Sequence, residues 1–442
     1  METKRLKVLV IAHEFSPIKG SECAVGWNIA IRLARYHDIT VLYASGSHEG
    51  NNSYVKAVRS YIAANGSFKG ISFINIDQPR LTKFIFSFNR YFKNLSAIGL
   101  PILYYWGYKY WQKSAFAKAL KLHKKENFDV VHQLTQISFR EPGYWWKLGI
   151  PFFWGPTGGL DSLPKQFLKL LSWKSRVMER IRTLSIFFQF NYSHRVIKAN
   201  KTAAVIYAYS VEDAIQLKKR AFGEVKLMLD VGTRNHGDRH SYKRMNSSVV
   251  QGIWCGQLIE RKAAIILLKA LASSRLTKEE IKFQIIGSGP LETALRKQSK
   301  AFGLNNIEWI GSVDHDTVFK LMSEADFFVH TSLREATSSV IPEALSTGLP
   351  VICHNANGMS IAINDTCGIK IPLISPGESV RGFHNAMESL LLNKKLLDEL
   401  KKGASRRSFE ISWDAMAETL ANDYITAVNK NTKKRFNGVK RP

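Results

Sequence analysis

Two glutamates, Glu335 and Glu343, stand eight residues apart in HTSLREATSSVIPEALSTGLPVICH (330–354), beside a single arginine and no lysine. In an unbroken helix that spacing turns about 800°, leaving the side chains roughly 80° apart. The preceding FFVH reads as a strand, and Thr337, Ser338, Ser339 and Pro342 mark a helix start. Glu335 is therefore expected on a loop at a strand's C-terminal edge, and Glu343 in the first turn of the helix. The exposed N–H groups and dipole of such a terminus suit phosphate. A carboxylate beside it can accept from a ribose diol, and the second is free to accept from sugar hydroxyls. Spacing alone leaves a plainer alternative open: both are helix-start acids favoured by the dipole.

These groups need a frame that collects strand ends. LKVLVIA (6–12) is a continuous apolar run, as expected for a parallel strand buried on both faces. A loop, the helical stretch VGWNIAIRLARYH and the run DITVLYA complete a strand–loop–helix–strand opening, the sign of an α/β layer fold. ISFINI, FDVVHQL, PFFWGPTGG and TAAVIYAYS continue the alternation. RNHGDRHSYKRMNSS (234–248) is polar and aperiodic and reads as an interdomain linker. The pattern then restarts with VVQGIWCG, IKFQIIGSGP, IEWIGSV, DFFVHTS and LPVICH. The expected fold class is α/β, with two doubly wound Rossmann-like domains facing a central cleft that holds the ligands. Expected boundaries are 1–230 for the first domain, 231–248 for the linker and 249–411 for the second. A helix over 412–428 is expected to pack back toward the first domain, followed by a disordered basic tail at 429–442.

Composition narrows the class. Lys and Arg number 63 against 36 Asp and Glu, leaving +27, a field that draws nucleic acid, anionic lipid or phosphorylated substrates. Hydrophobic content of 45% excludes a disordered chain. Cys23, Cys255, Cys353 and Cys367 lack ligand-type spacing, which argues against a disulfide framework or a zinc site. The N-terminal segment has too few apolar residues for a signal peptide. No window approaches the roughly 18 apolar residues of a spanning helix. The expected location is the cytoplasm, at the inner face of the cell membrane. Residues 80–125 and 164–198 interleave aromatics with lysines and arginines. Each reads either as a basic amphipathic helix on an anionic bilayer or as a core helix with a solvated basic face.

ADFFVHTSLREATSSVIPEALSTGLPVICHNANG resembles the E-x7-E donor-site region of the retaining family 4 (group 1) glycosyltransferases, which have the GT-B fold. WCGQLIERKAAIILLKAL is similar to their G-[RK]-L-x-x-x-K segment. Lys262 matches the lysine, Gln257 stands where arginine is usual, and Arg261 is the expected substitute. FSPIKGSECAVGWNIA resembles the glycine loop after their first strand, with Gly20 permitting close backbone approach. FDVVHQLTQISFREPGYWWKLGIPFFWGPTGG places His132 at the position of the family's active-site histidine. These motifs keep the family order across residues 6–428. Besides Gln257, the chain departs at Ala336 and Ser338, where glycines are frequent. GPTGG (155–159) is not a phosphate loop, since no Lys-Ser/Thr follows, and is expected to be a turn lining the cleft. Asp314-His315-Asp316 mimics a D-x-D metal motif, but Asp316 as a helix N-cap is sufficient explanation.

The resemblance implies an acceptor-side first domain and a nucleotide-sugar-binding second domain. It implies a metal-independent, retaining hexosyl transfer in which Glu335 orients the donor sugar, Lys262 steadies the diphosphate and His132 contacts the sugar or acceptor. Donor binding is expected from Gly20, Arg261, Gln257, Ser338, Ser339, Val340 and, on the ribose, Glu343. No cofactor or metal is expected. The expected partners are a nucleotide-sugar donor, a saccharide or lipid-linked saccharide acceptor, and an anionic membrane, in the making of a cell-surface polysaccharide such as capsule, exopolysaccharide or lipopolysaccharide. Two alternatives stay open: a non-catalytic nucleotide-sugar-binding homologue, hinted at by Gln257, and a nucleic-acid-binding protein using the basic charge.

Overall fold

The computed structural model describes residues 5–20, 22–46, 52–92, 99–233, 249–274 and 280–436, with side chains as far as 432. Seven parallel strands form the first sheet: β1 (Lys7–Ala12), β2 (Asp38–Ala44), β3 (Ile71–Ile76), β4 (Val130–Gln133), β5 (Phe152–Thr157), β6 (Val205–Ala208) and β7 (Glu224–Leu227). Their spatial order is β3-β2-β1-β4-β5-β6-β7. Six more form a second parallel sheet: β8 (Val250–Cys255), β9 (Ile281–Ile286), β10 (Ile307–Gly311), β11 (Phe327–His330), β12 (Val351–His354) and β13 (Gly368–Ile371). Their order is β10-β9-β8-β11-β12-β13. In each sheet the order reverses beside the first strand, between β1 and β4 and between β8 and β11. Those are the two switch points where a doubly wound sheet opens a crevice.

Helices of the first domain are α1 (Glu22–Leu33), α2 (Ser53–Asn65), α3 (Arg80–Asn89), α4 (Pro101–Glu126), α5 (Trp173–Tyr192), α6 (His194–Thr202) and α7 (Val211–Lys218). The second domain carries α8 (Ala264–Leu271), α9 (Glu292–Ala301), α10 (His315–Glu324), α11 (Val340–Ser346), α12 (Met359–Ala362), α13 (Pro376–Leu392) and α14 (Lys394–Glu410). The central strands are apolar runs buried on both faces, β4, β5 and β11 entirely so, because helices cover both sides of a parallel sheet. The edge strands β7 and β13, of four residues each, were not anticipated. EVKL and GIKI are too short, and at β7 too polar, to show as apolar runs.

The last helix, α15 (Trp413–Phe436), returns to the first domain. Tyr424 is fully buried there, Arg32 Nε donates to Asp414 Oδ2 at 3.0 Å, and Tyr207 Oη donates to Asp423 Oδ2 at 2.7 Å. The expected disordered tail from 429 is corrected in part: NKNTKKRF prolongs the helix to Phe436, where basic residues suit a helix C-terminus. The stretch 234–248, read as the linker, lies outside the described residues, as do 437–442. On either side of it Thr233 pairs with Ser412, and Trp413 N donates to Thr233 O at 3.1 Å.

Candidate functional site

At the switch point of the second sheet, β8 delivers the loop to Lys262 and β11 delivers the loop to Ser339. The loops are bonded into one unit. Leu333 N donates to Arg261 O at 2.9 Å, Thr331 Oγ1 donates to Lys262 O at 2.7 Å, and Trp254 Nε1 donates to Thr331 Oγ1 at 3.1 Å. Gly358 braces the far side: its N–H donates to Ala336 O at 2.8 Å, and a Cβ there would stand 2.1 Å from Thr337 Oγ1. No side chain can replace that glycine without moving the loop.

Within this unit the charges converge on Glu335. Lys262 Nζ lies 2.5 Å from its Oε1, Arg261 pairs with the same oxygen, and His330 Nε2 lies 3.4 Å from Oε2. Lys262 Nζ also reaches Ser338 Oγ at 3.4 Å. Burial pushes the Glu335 carboxyl up, but His330, Lys262 and Arg261 together outweigh it and hold it well below the usual carboxylate range. Burial keeps His330 itself below its ordinary value, so at neutral pH the lasting countercharges are Lys262 and Arg261. Burial also lowers Lys262, against the pull of Glu335. The arrangement is an ionised carboxylate and a shielded ammonium with donor capacity beyond one partner.

Glu343 sits in the first turn of α11, after Ser339 and Val340, and His315 Nε2 lies 3.2 Å from its Oε1. Gln257 is exposed, and its side chain makes no hydrogen bond among the described residues. Gly20 is exposed and a Cβ there would meet nothing within 4 Å, so the chain itself does not demand glycine. Asp314, not Asp316, caps α10, accepting from Thr317 N at 2.9 Å; Asp316 lies in the first turn. GPTGG is not a cleft turn either: residues 155–158 are buried, with Gly158 against Asp213 and Tyr209.

His132 sits deeper than the rim. It lies within β4, fully buried, with Nδ1 2.6 Å from Tyr424 Oη and Nε2 2.7 Å from Gly155 O. Both ring nitrogens are engaged, and burial lowers its pKa to about 4. A strand residue alternates faces, and His132 turns to the face that α15 covers rather than to the strand's end. Its contacts join β4, β5 and α15.

The rim of the first sheet holds carboxyl groups that sequence reasoning did not single out. Glu14 follows β1, with His13 Nδ1 3.2 Å from Oε1 and the Tyr54 hydroxyl donating to Oε2. Burial raises Glu14, but His13, Tyr54 and Cys23 outweigh it and bring it to about 2. Glu22, in the first turn of α1, accepts from Ile137 N at 2.7 Å, and burial with the nearby Glu14 and Asp230 raises it to about 8. Asp230, after β7, is raised to about 6 by burial; it lies against Thr337 and feels the charge of Glu335. Asp230 thus brings the first domain to the Glu335 loop. No local signal marked it, because β7 is too short and polar to show as an apolar run.

A second bridge comes from residues 160–182. Phe167 is buried in the core of the second domain, Ser172 N donates to Glu260 Oε1 at 3.0 Å, and Glu179 on α5 pairs with Arg334.

Residues 251–407 match the family described as glycosyl transferases group 1. An uncharacterized glycosyltransferase of Methanocaldococcus jannaschii is 26% identical over 178 residues, 40% of this chain and 45% of that protein. The chain spans less than half the length of that relative. Among solved structures, the lipopolysaccharide outer core galactosyltransferase WaaB is similar with a TM-score of 0.59 at 14% identity, covering 96% of this chain and 99% of that one. HepE of Anabaena in complex with UDP is similar with a TM-score of 0.55 at 14% identity, covering 95% and 100%; it is also solved with UDP-glucose. The second domain thus matches the group 1 glycosyl transferases, and with both parallel sheets matching those neighbours the chain has the GT-B fold.

Proposed function

We propose that the chain transfers a hexose from a nucleotide-sugar donor to a saccharide hydroxyl, with retention at the anomeric carbon. The observation that carries this reading is the Lys262–Glu335 pair at the second switch point, beside the helix start that holds Glu343. A leaving diphosphate needs preorganised positive charge, and in this reading Lys262 with Arg261 supplies it. Ser338, Ser339 and Val340 at the start of α11 and the open position at Gly20 complete the diphosphate's surroundings. Glu335, held ionised, accepts from the donor sugar's hydroxyls, and Glu343 accepts from the ribose diol. The donor is a uridine diphosphate sugar, by likeness to HepE with UDP and UDP-glucose. Asp230 and Glu22 face this site from the acceptor side and offer hydrogen bonds to an incoming hydroxyl.

The acceptor in this reading is a lipid-linked saccharide met at an anionic membrane, in cell-surface polysaccharide synthesis. No helix among the described residues is long and apolar enough to cross a membrane. Release of nucleoside diphosphate from a panel of UDP-, GDP- and ADP-sugars tests the reading. Release from a UDP-sugar that disappears in Glu335→Ala is expected. Full release by Glu335→Ala would sink the site, and no release from any donor would sink the activity.

A further inference from the structure

Helix α5 is unlike its neighbours in what it leaves uncovered. Its inner face buries Glu179, Ile186 and Phe190. Its outer face exposes Trp173 (70%), Ile181 (54%), Leu184 (59%), Phe187 (54%) and Phe188 (58%), together with Val177, Met178 and Tyr192. The positions 173, 177, 181, 184, 188 and 192 advance by three or four residues, so they form one continuous stripe along five turns. Apolar exposure on that scale marks a docking surface rather than scatter. Charge says what docks. Between residues 162 and 202 the chain has nine lysines and arginines and one acid, Glu179, which faces inward. Lys165, Lys169, Lys174 and Arg180 are exposed around the stripe. An apolar stripe edged only by cations fits the interface of an anionic bilayer, where acyl chains take the rings and headgroups take the lysines. Helix α3 and the turn after it repeat the pattern, with Leu81, Phe84, Phe88 and Tyr91 exposed beside Arg80, Lys83 and Arg90.

The same helix reaches the donor loop. Glu179 pairs with Arg334, the residue before Glu335, and is held from behind by Arg182 Nη1 at 3.1 Å. We propose that α5 docks on an anionic bilayer through its outer stripe, and that the Glu179–Arg334 pair passes the docked state to the Glu335 loop. This deepens the membrane contact proposed above and rests on it, but not on the sugar-transfer activity.

Co-sedimentation with phosphatidylglycerol–phosphatidylethanolamine vesicles tests the surface. The full chain is expected to bind them at low salt, to lose most binding in high salt, and to ignore pure phosphatidylcholine. Phe187→Glu with Phe188→Glu is expected to weaken binding at least tenfold while thermal unfolding stays unchanged, since both residues are exposed. A full chain that ignores the anionic vesicles overturns the membrane contact itself. Undiminished binding by the double variant overturns α5 as the surface, and so does a wild-type dimer that the double variant dissolves without any vesicle binding. Hydrogen exchange of the segment 331–339 tests the link: vesicles are expected to slow it in the wild type and not in Glu179→Gln. Equal slowing in both would overturn the coupling.

Discussion

The rims of the two sheets face one cleft with opposite chemistry. Past β8 and β11, Lys262 and Arg261 surround Glu335 and hold its carboxyl ionised. Past β1 and β7 and at the start of α1, the carboxyls of Glu14, Glu22 and Asp230 meet hydroxyls, an imidazole, a thiol and backbone N–H groups. Identical architecture therefore does not give identical sites. In the proposed reaction the cationic rim would hold a dianionic leaving group. The other carries Glu22 and Asp230, raised to about 8 and about 6, and so able to donate or accept a hydrogen bond near neutrality. The proposed transfer would use that asymmetry, with an electropositive side for the donor and a hydroxyl-binding side for the acceptor.

Substitutions can break this contrast. The largest effect is expected at the cationic rim: Lys262→Ala should lower kcat by on the order of 100-fold or more, as loss of a preorganised donor to developing charge does, measured by release of nucleoside diphosphate. Glu335→Ala is expected to fall as far, and Lys262→Arg to restore part of the Lys262→Ala loss, because positive charge rather than shape is lost. Next comes Glu343→Gln, which should raise KM for the donor about tenfold with kcat nearly kept, as for a contact made equally in ground and transition states. A drop in kcat alone would move Glu343 from binding to catalysis.

Tyr424→Phe sharpens the contrast from the other side, because it leaves the buried His132 Nδ1 unpaired. It should cost about 1–3 kcal/mol of stability, read as a lower Tm, with kcat/KM unchanged at a temperature where the chain is folded. Lost activity without lost stability would return His132 to the site. The smallest effect is in pH. Glu22 and Asp230 have folded pKa values above their unfolded ones, so the stability they contribute is full below the unfolded value of about 4. It is lost as pH rises through about 6 for Asp230 and about 8 for Glu22. Tm should decline from pH 5 to pH 9, and Glu22→Gln should flatten the upper part of the decline. An unaltered slope would remove Glu22 as its source.

The alternation of apolar runs and helical stretches made both domains legible, since strands covered on both faces must be apolar throughout. Lys262 and Arg261 were singled out by the resemblance to the G-[RK]-L-x-x-x-K segment, and Glu335 by its place just past the run FFVH. His132 shows what such adjacency leaves open. Adjacency to a strand's end was visible in FDVVHQL, but the side of the sheet that the ring takes depends on α15, nearly three hundred residues away in sequence. Asp230 and the Glu179–Arg334 pair stayed hidden for the same reason: each draws its meaning from the other domain. Local pattern reports periodicity and burial, and only folding reports which distant segment completes a contact.

The return of α15 bears on how the molecule can be divided. The first domain's sheet is walled on one side by a helix drawn from the far end of the sequence, with Tyr424 in its core and Asp414 and Asp423 on its charges. A fragment ending at Thr233 would present His132 and Tyr207 to water. A working dissection must carry residues 413–436 with the first domain, in trans or by a fused connection. The strand pairing of Thr233 with Ser412 marks the place to join them.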